Sequence, residues 1–400
     1  MINECNRCLN VEGFDSFFKK PIRITSSGVC NICKEWEKYS RFFQEFRSIA
    51  RFQLSKIFET VKKKEYEYDA LVSLSGGKDS STALILAKEK YKLNVLSFTI
   101  DKGNFYRGVQ ETINELTDNL GVDHIFIKVP KSVMVPLFRF GISTLSTGGI
   151  QCKICAGLVH IPILSRFLLN HNIPIVLTGL DLWEIQDGYL FNLNQGMKIE
   201  NPFLYTLPNL RSRWNKYQIP IEDCLNLLQR FSNGQTFLRL KKEFLQITNN
   251  LLSRYRLNSS EIEAVNKLKF YDIALTALEI SSKKRQLELL KRYRWAPPRD
   301  LYTGELVGTD CKIGGVVNAI ATFKQKRRMW SSRIRAGLVT KEEALEEIFR
   351  KKPNLTSICA TLKELGFSQL ENRLIAGWNN RIFGDLYDIN LINEINKNLN

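Results

Sequence analysis

Between residues 70 and 178 the sequence alternates short apolar runs with amphipathic stretches. The pattern predicts strands at 70–74, 94–100, 124–129 and 173–178 and helices at 79–91, 107–120 and 156–170. Strands that alternate with helices pair in parallel, so we expect an α/β fold with a doubly wound parallel sheet. Because ligands bind such sheets beyond the carboxyl ends of the strands, the residues that follow each strand are the candidates for function.

The composition is that of a globular chain that attracts anions. Its 400 residues are 44% hydrophobic, which is enough for two or three domains with a sizeable core. The formal net charge is +17, and residues 201–300 hold 18 Lys and Arg against nine Asp and Glu. Nucleic acid, a nucleotide, an acidic sugar or an acidic protein would each be drawn to this charge.

Nothing in the sequence predicts a membrane or secretory role. No apolar run approaches the roughly 18–20 residues of a spanning helix, and the polar start MINECNRCLN lacks the features of a signal peptide. We therefore expect a cytoplasmic protein with no membrane partner.

The segment 75–81, SGGKDSS, forms a glycine-rich turn between the first predicted strand and its helix. Val72 and Asp79 stand where a Walker A loop requires Gly and Ser or Thr, and the third glycine of a dinucleotide fingerprint is missing. The segment resembles the SGGxDS loop of the PP-loop ATP pyrophosphatases, which have the adenine nucleotide alpha hydrolase-like fold. The match lies directly between a strand and a helix, as in that family.

The residue types in this turn suit phosphate binding. Gly76 and Gly77 leave backbone N–H groups uncovered, and the start of the helix adds partial positive charge. Lys78 can neutralise phosphate charge, while Asp79 can cap the helix or bind Mg²⁺. Hydroxyl donors are supplied by Ser75, Ser80 and Ser81. We predict that all seven residues bind ATP, with Lys78, Asp79 and Ser80 as the catalytic residues.

The resemblance implies a specific use of ATP. In these enzymes ATP is cut between its α- and β-phosphates, AMP is attached to a substrate oxygen, pyrophosphate leaves, and a nucleophile then displaces AMP. By the same resemblance, adenosine would lie near Asp101, after the second strand, and near Gly179 and Asp181, after the fourth.

Four cysteines near the start of the chain form two Cys-x-x-Cys pairs. Four thiolates in two such pairs suit a tetrahedral Zn²⁺ with no open position, which would hold together a small module that lacks a core of its own. We predict a structural zinc site. Its ligands would be Cys5, Cys8, Cys30 and Cys33.

A second set of cysteines is predicted at the nucleotide edge of the sheet. Cys152 and Cys155 follow the third strand in what we expect to be a turn before a helix, and a loop that returns to this edge would bring Cys311 close. Three sulfurs with one open position resemble the [4Fe-4S] arrangement of the PP-loop tRNA thiolases. A second zinc ion, a redox pair or three buried thiols remain alternatives. The three histidines are expected to be structural.

The order of these parts resembles the N-acetyl sugar amidotransferases of lipopolysaccharide biosynthesis. The correspondence rests on CNRC and GVCNIC, on SGGKDS, on CKIC and on the late segment RIRAGLVTKEEALE, residues 333–346. It implies an anionic small-molecule acceptor whose carboxyl group is amidated with ammonia from a separate glutaminase subunit. The tRNA thiolases are the competing resemblance, with sulfur as the nucleophile and RNA as the partner.

We divide the chain into four parts. These are a four-cysteine zinc module (1–40), a PP-loop ATP pyrophosphatase domain (41–190), a basic helical insertion or lid (191–298), and a return segment with Cys311 and C-terminal helices (299–400). No strand alternation is evident between residues 201 and 295.

Overall fold

The computed structural model describes residues 3–15, 20–144, 150–194, 201–205, 219–230, 232, 234–297, 311–350, 353–370 and 388–399. Its strands are β1 (Gly13–Asp15), β2 (Lys20–Ile22), β3 (Ala70–Ser73), β4 (Val95–Asp101), β5 (Asp123–Lys128), β6 (Ile175–Leu177), β7 (Leu204–Tyr205) and β8 (Tyr271–Ile273).

The helices before residue 200 are α1 (Asn31–Lys62), α2 (Lys78–Ile85), α3 (Val109–Leu120), α4 (Lys131–Ser143), α5 (Ile150–Cys155), α6 (Ile161–His171) and α7 (Leu182–Asn194). Those after it are α8 (Ile219–Arg230), α9 (Gly234–Tyr255), α10 (Ser259–Lys267), α11 (Leu275–Glu279), α12 (Lys283–Arg292), α13 (Lys312–Ala319), α14 (Phe323–Arg335), α15 (Lys341–Arg350), α16 (Leu355–Glu364) and α17 (Ile389–Leu399).

Six strands form the central sheet in the order β5-β4-β3-β6-β8-β7, and all neighbours are parallel except β7 and β8. The first three residues of β3 are fully buried, as expected for an inner strand of a sheet covered on both faces. The α/β class with a parallel sheet flanked by helices is therefore confirmed. The turn that follows β3 lies between the ends of β4 and β6.

The expectation that residues 201–295 hold no strand is wrong. β8 pairs in parallel with β6, and β7 pairs in the antiparallel direction with β8. Each strand has only two or three residues, which is too short for an alternation of buried and exposed side chains to stand out in the sequence. The end of this segment is thus part of the sheet domain, and the boundaries proposed above stay predictions.

The first helix begins earlier than the sequence indicated. The four-cysteine module was predicted to extend to residue 40, but α1 already starts at Asn31, with Cys30 as its N-cap residue. The Sγ atom of Cys30 accepts a hydrogen bond from the backbone N–H of Cys33, as a capping side chain does. Ser, Thr, Asp or Asn is the usual N-cap residue. A cysteine caps α1 instead, so the sequence did not indicate that a helix begins here.

Cys152 and Cys155 lie in a helix, not in the turn that we expected. A helix that the sequence did not indicate, α4, follows β5, and α5 then carries both cysteines. A π-helical segment, Ala156–His160, joins α5 to α6. Residues 145–149, between α4 and α5, lie outside the described residues.

The stretch Cys152–His171 also corrects the expectation that no apolar run approaches the length of a membrane span. It is long and apolar enough by length and composition, but 56% of it is buried inside the fold. Its side chains pack in the main hydrophobic cluster with the sheet. Packing against the sheet accounts for its apolar composition.

Candidate active site

The phosphate turn runs from the end of β3 into α2. Gly76 has φ of +78°, and a Cβ atom there would lie 2.7 Å from Val109, so the turn requires glycine at this position. The hydroxyls of Ser75 and Ser80 lie 3.0 Å apart, and the Ser80 hydroxyl accepts from the N–H of Ser75. The Ser81 hydroxyl is buried and has no hydrogen-bond partner among the described residues. Of these three hydroxyls, only that of Ser81 has no partner in the described part of the chain.

The side chains of Lys78 and Asp79 pair with each other at the start of α2. The Lys78 Nζ atom is buried between the carboxylates of Asp79 and Asp181, with Asp181 Oδ2 at 3.3 Å. Burial acts to lower the pKa of Lys78, but the two carboxylates outweigh it and raise the pKa above its usual range. Asp79 does not cap α2, because Gly77 is the N-cap residue and no side chain caps the helix. The Mg²⁺ role of Asp79 stays a prediction.

Gly179 and Asp181 come directly after β6 and lie against the phosphate turn. A Cβ atom on Gly179 would lie 2.4 Å from the backbone nitrogen of Ser80, so only glycine allows this approach. Asp181 Oδ1 accepts from the N–H of Leu182, and Glu184 Oε2 accepts from the N–H of Asp181, which together cap α7. Burial, with Asp79 nearby, raises the pKa of Glu184 to about 7.

Three side chains from the end of the helical segment reach the turn, and sequence analysis missed all of them. Thr276 Oγ1 donates to the Asp79 carbonyl at 2.8 Å, and Gln286 Nε2 donates to Asp79 Oδ1 at 2.7 Å. Trp295 Nε1 donates to the Gly76 carbonyl at 3.0 Å. Pairing of β8 with β6 brings this part of the chain to the turn, and no local motif could have indicated it.

A cavity of about 220 Å³ opens beside the turn at Ser73–Ser75. Cys152, Cys155 and Cys311 all line it, so the structure brings the second set of cysteines together at the nucleotide edge. Cys152 is exposed, Cys155 is buried and Cys311 is partly buried. A larger cavity of about 680 Å³ lies between α4 and α9, but it is lined by none of the motif residues.

Cys311 is held at the cavity by the loop that follows β4. Its Sγ atom accepts from Asn104 Nδ2 at 3.0 Å, and the N–H of Lys312 donates to the Asn104 carbonyl at 2.8 Å. Asn104 could have been found from the sequence, since it lies just beyond the carboxyl end of a predicted strand. Asp101 lies elsewhere: its Oδ1 accepts from the N–H of Gly103, and it lines a neighbouring cavity of about 300 Å³.

Polar groups complete the lining of the cysteine cavity. Lys102 and Asn104 lie at the end of β4, and His160 comes from the π-helical segment. Burial, with Lys102 nearby, lowers the pKa of His160 to about 4, so its imidazole is neutral at physiological pH. His160 therefore lines the cavity as a neutral side chain that can donate or accept a hydrogen bond.

The four N-terminal cysteines form a compact group that suits zinc. Their sulfur atoms all lie within 4.8 Å of one another, and the side chains are buried. The sulfurs of Cys8 and Cys30 are 3.8 Å apart. A tetrahedral Zn²⁺ with bonds of ~2.3 Å would place its ligands about 3.8 Å from one another. Cys5, Cys8, Cys30 and Cys33 therefore fit this ion as they stand.

Nearby N–H groups support charged sulfurs at this site. Asn10 donates from its backbone to Cys8 and from its side chain to Cys30, both at 3.4 Å, and the N–H of Cys30 donates to Cys5 at 3.2 Å. A hydrogen bond from Cys33 is the main cause that lowers the pKa of the Cys30 thiol to about 6. Donors of this kind orient and stabilise metal-bound thiolates.

The four-cysteine module is docked against the late part of the chain. Lys341 Nζ donates to the Cys5 carbonyl at 3.1 Å, the N–H of Leu9 donates to Ser331 at 3.1 Å, and Arg327 donates to the Leu9 carbonyl at 3.2 Å. Two of these partners lie on α14, and the third begins α15. α15 begins with a capping box, in which Glu343 and Thr340 exchange hydrogen bonds.

Comparison with known proteins gives one family match. Residues 69–140, which include the phosphate turn and β4, match the family model of the queuosine biosynthesis protein QueC. This segment therefore resembles the PP-loop ATP pyrophosphatases, as the sequence predicted.

One curated relative is the uncharacterized protein MJ1599 of Methanocaldococcus jannaschii, which is 27% identical over 156 residues. The match covers 39% of this chain and about half, 51%, of the length of that relative.

Among solved structures, NMN synthetase from Francisella tularensis is 16% identical to this chain, with a TM-score of 0.28. The alignment covers 56% of this chain and 91% of the synthetase. The U34-tRNA thiolase NcsA from Methanococcus maripaludis, with its [4Fe-4S] cluster, is 15% identical, with 74% and 88% covered and a TM-score of 0.27.

Proposed function

We propose that this PP-loop enzyme adenylates a carboxyl oxygen of an anionic acceptor, releases pyrophosphate and then replaces AMP with ammonia, so that the acceptor becomes an amide. The acceptor class is an N-acetyl sugar acid or a similar small molecule, and the ammonia comes from a separate glutaminase subunit in the cytoplasm. One observation carries the proposal. Ser75 belongs both to the phosphate turn and to the lining of the cysteine cavity, so ATP held by the turn and an acceptor in the cavity would be neighbours.

The turn supplies the groups that hold pyrophosphate. These are the backbone N–H groups at the start of α2 and the hydroxyls of Ser75, Ser80 and Ser81. Lys78 lies between two carboxylates, and movement of its Nζ atom toward a phosphate would leave Asp79 and Asp181 facing the same nucleotide. A Mg²⁺ ion that accompanies ATP would be held by these two carboxylates together with phosphate oxygens, because Mg²⁺ takes one or two protein carboxylates at such sites.

The cavity suits a carboxyl acceptor and a neutral nucleophile. Lys102 brings positive charge to it, and Asn104 brings an amide. Ammonia that attacks the activated carbonyl carbon must lose a proton as AMP leaves. That proton passes to solvent, since burial lowers the pKa of His160 to about 4 and leaves its imidazole neutral at the cavity wall.

The parts of the chain that resemble the sugar amidotransferases also lie together. The four-cysteine module and the segment 333–346 meet through Lys341, which donates to the Cys5 carbonyl. Arg335, from the same segment, bonds to Asp187 of α7 at 3.1 Å, and α7 begins beside the phosphate turn. Contact between these parts supports a resemblance that extends beyond the nucleotide domain.

A second candidate is sulfur transfer, and the cysteine cavity favours it. Among the described residues, the four-cysteine module is the only group of three or more metal-binding side chains whose donor atoms lie within 4.8 Å of one another. Cys152, Cys155 and Cys311 are spaced more widely than the ligands of one zinc ion. In a [4Fe-4S] cluster each thiolate binds a different iron, so this wider spacing suits a cluster better.

Such a cluster would leave one iron open for a sulfur species. The acceptor could then be RNA, which the exposed basic side chains of α9, Arg239, Lys242 and Arg254, would attract.

Two measurements test the proposal. Incubation with ATP, ¹⁵N-ammonium and N-acetyl sugar acids should release pyrophosphate and give a product that carries ¹⁵N. Incorporation of labelled sulfide instead, together with about four iron and four sulfide per chain after anaerobic purification, would favour the second candidate. Zinc alone, with ¹⁵N in the product, is the expected result.

A further inference from the structure

The phosphate turn has a partner that no family motif assigns. Trp295, just beyond the end of α12, is buried with 6% of its surface exposed, and its indole N–H donates to the carbonyl of Gly76 at 3.0 Å. Gly76 is the first glycine of the turn and has φ of +78°. A side chain more than 200 residues away in sequence therefore holds one peptide group of the phosphate site.

The direction of this bond fixes the direction of another group. The Gly76 carbonyl and the Gly77 N–H belong to one planar peptide unit, and this unit is trans, so the two groups point in opposite directions. With the carbonyl held by Trp295, the Gly77 N–H points away from the indole. In this structure it donates to the hydroxyl of Ser75 at 3.4 Å, and Ser75 lines the cavity beside the turn.

The glycines give this bond its importance. A peptide unit between two glycines can rotate at little cost, because glycine accepts positive and negative φ about equally. Rotation would turn the Gly77 N–H away from the phosphate site and bring a carbonyl oxygen toward it. A carbonyl oxygen beside a phosphate would repel it. A fixed donor from outside the turn prevents this.

We propose that Trp295 is a positioning residue for phosphate: its indole N–H locks the Gly76–Gly77 peptide so that the Gly77 N–H faces the pyrophosphate portion of ATP. The residue acts through the turn and does not touch the nucleotide. This inference rests on the proposed function, since it assumes that the turn binds ATP. It also assigns a role other than that of a lid to the end of the basic helical segment 191–298.

The substitution Trp295→Phe tests the bond, because phenylalanine keeps an aromatic ring in the core but lacks the N–H donor. Affinity for ATP, pyrophosphate and AMP would be measured by isothermal titration calorimetry on the full chain. The variant should lose about tenfold in affinity for ATP and for pyrophosphate, the range expected when one hydrogen bond to a charged group is weakened. Its affinity for AMP should stay within about twofold of the wild type, because the turn holds the two departing phosphates.

The substitution Trp36→Phe is the matched control. Trp36 packs edge-on against Phe43 on α1, away from the turn, and its replacement should change none of the three affinities. If Trp295→Phe does not fold, benzothienylalanine at the same position provides the second variant, since it replaces only the indole N–H with sulfur.

The outcomes separate the inference from the proposed function. If the wild-type protein binds ATP and pyrophosphate and the Trp295→Phe variant binds them with the same affinity, only the inference is overturned. Equal losses for AMP and for pyrophosphate would also overturn it, because they would show a general loss of structure. Wild-type protein that binds neither ATP nor pyrophosphate overturns the proposed function and the inference together.

Discussion

The two sets of cysteines differ in burial and spacing, and the difference suits one set to a structural role and the other to a role in the reaction. In the four-cysteine module all four sulfurs are buried, close together and supplied with N–H donors. Around the cavity, Cys152 is exposed, Cys311 is partly buried, and the three sulfurs do not meet within the reach of one zinc ion. A closed group holds parts of a fold together, whereas an open group beside a phosphate turn can meet a substrate.

The surroundings of the two sets show the same contrast. Side chains of α14 and α15 bind the four-cysteine module, so loss of a metal from this site would also loosen its contact with these two helices. The cavity borders the phosphate turn, so changes there should alter the reaction with little effect on stability. The following predictions test this contrast, beginning with the largest expected effect.

Replacement of Cys33 by serine should remove zinc and unfold the module. Structural zinc sites contribute on the order of 10 kcal/mol in small domains, so the loss should appear as zinc-free protein with a much lower midpoint of thermal unfolding. Cys359→Ser is the control, because Cys359 is a buried cysteine outside both sets. One zinc per chain in Cys33→Ser would show that the four cysteines do not form the metal site.

Replacement of Cys311 by serine should lower activity and leave stability almost unchanged. If the sulfur-transfer candidate is correct, product formation should fall at least about 100-fold, while the midpoint of thermal unfolding changes by only a few degrees. Product analysis and calorimetry on the same sample would measure both. If Cys311→Ser unfolds as Cys33→Ser does, the contrast between the two sets fails.

Gly179→Ala should damage the nucleotide edge directly. Its Cβ atom would lie 2.4 Å from the Ser80 nitrogen, and overpacking of this kind costs about 1–3 kcal/mol in unfolding free energy. ATP affinity should fall as well, because Ser80 would be displaced. Gly188→Ala on α7 is the matched control. A Cβ atom there meets nothing within 4 Å, so it should be neutral or stabilise the chain by about 0.5–1 kcal/mol.

The smallest effect concerns pH. Burial raises the pKa of Glu184 from its ordinary 4.5 to about 7, so the folded chain binds this proton more tightly than the unfolded chain does. The resulting stability is present below pH 4.5 and is lost as the pH rises through about 7. The free energy of unfolding, measured with denaturant, should therefore be lower at pH 8 than at pH 5. Glu184→Gln should reduce this difference by about 1–3 kcal/mol.

Glu343→Gln, which changes an exposed capping residue of α15, should leave the pH dependence as in the wild type. An unchanged pH dependence in Glu184→Gln would show that Glu184 ionises normally in the folded chain.

The local parts of the fold followed from the sequence, and the assembled parts did not. The phosphate turn, the first four strands of the sheet and the group of four N-terminal cysteines each have a signal within a few neighbouring residues. The strand at Tyr271–Ile273 has three residues and joins the sheet only through tertiary pairing, so its pattern could not be distinguished from that of the helices around it.

Side-chain roles at the site depended on contacts across the chain. Nothing near Gln286 or Trp295 in the sequence indicates that they bond to the phosphate turn, because the sheet brings them there. Asp79 is a similar case. Its place at the start of a helix suggested a cap, but Lys78 and Gln286 hold its carboxylate instead.

The most direct test of adenylation is the fate of the acceptor oxygen. An acceptor labelled with ¹⁸O in its carboxyl group would be incubated with ATP and ammonium, and the nucleotide products would be separated and weighed by mass spectrometry. AMP that carries ¹⁸O, with an equal amount of pyrophosphate, is the predicted result. ADP and inorganic phosphate as the products would contradict it.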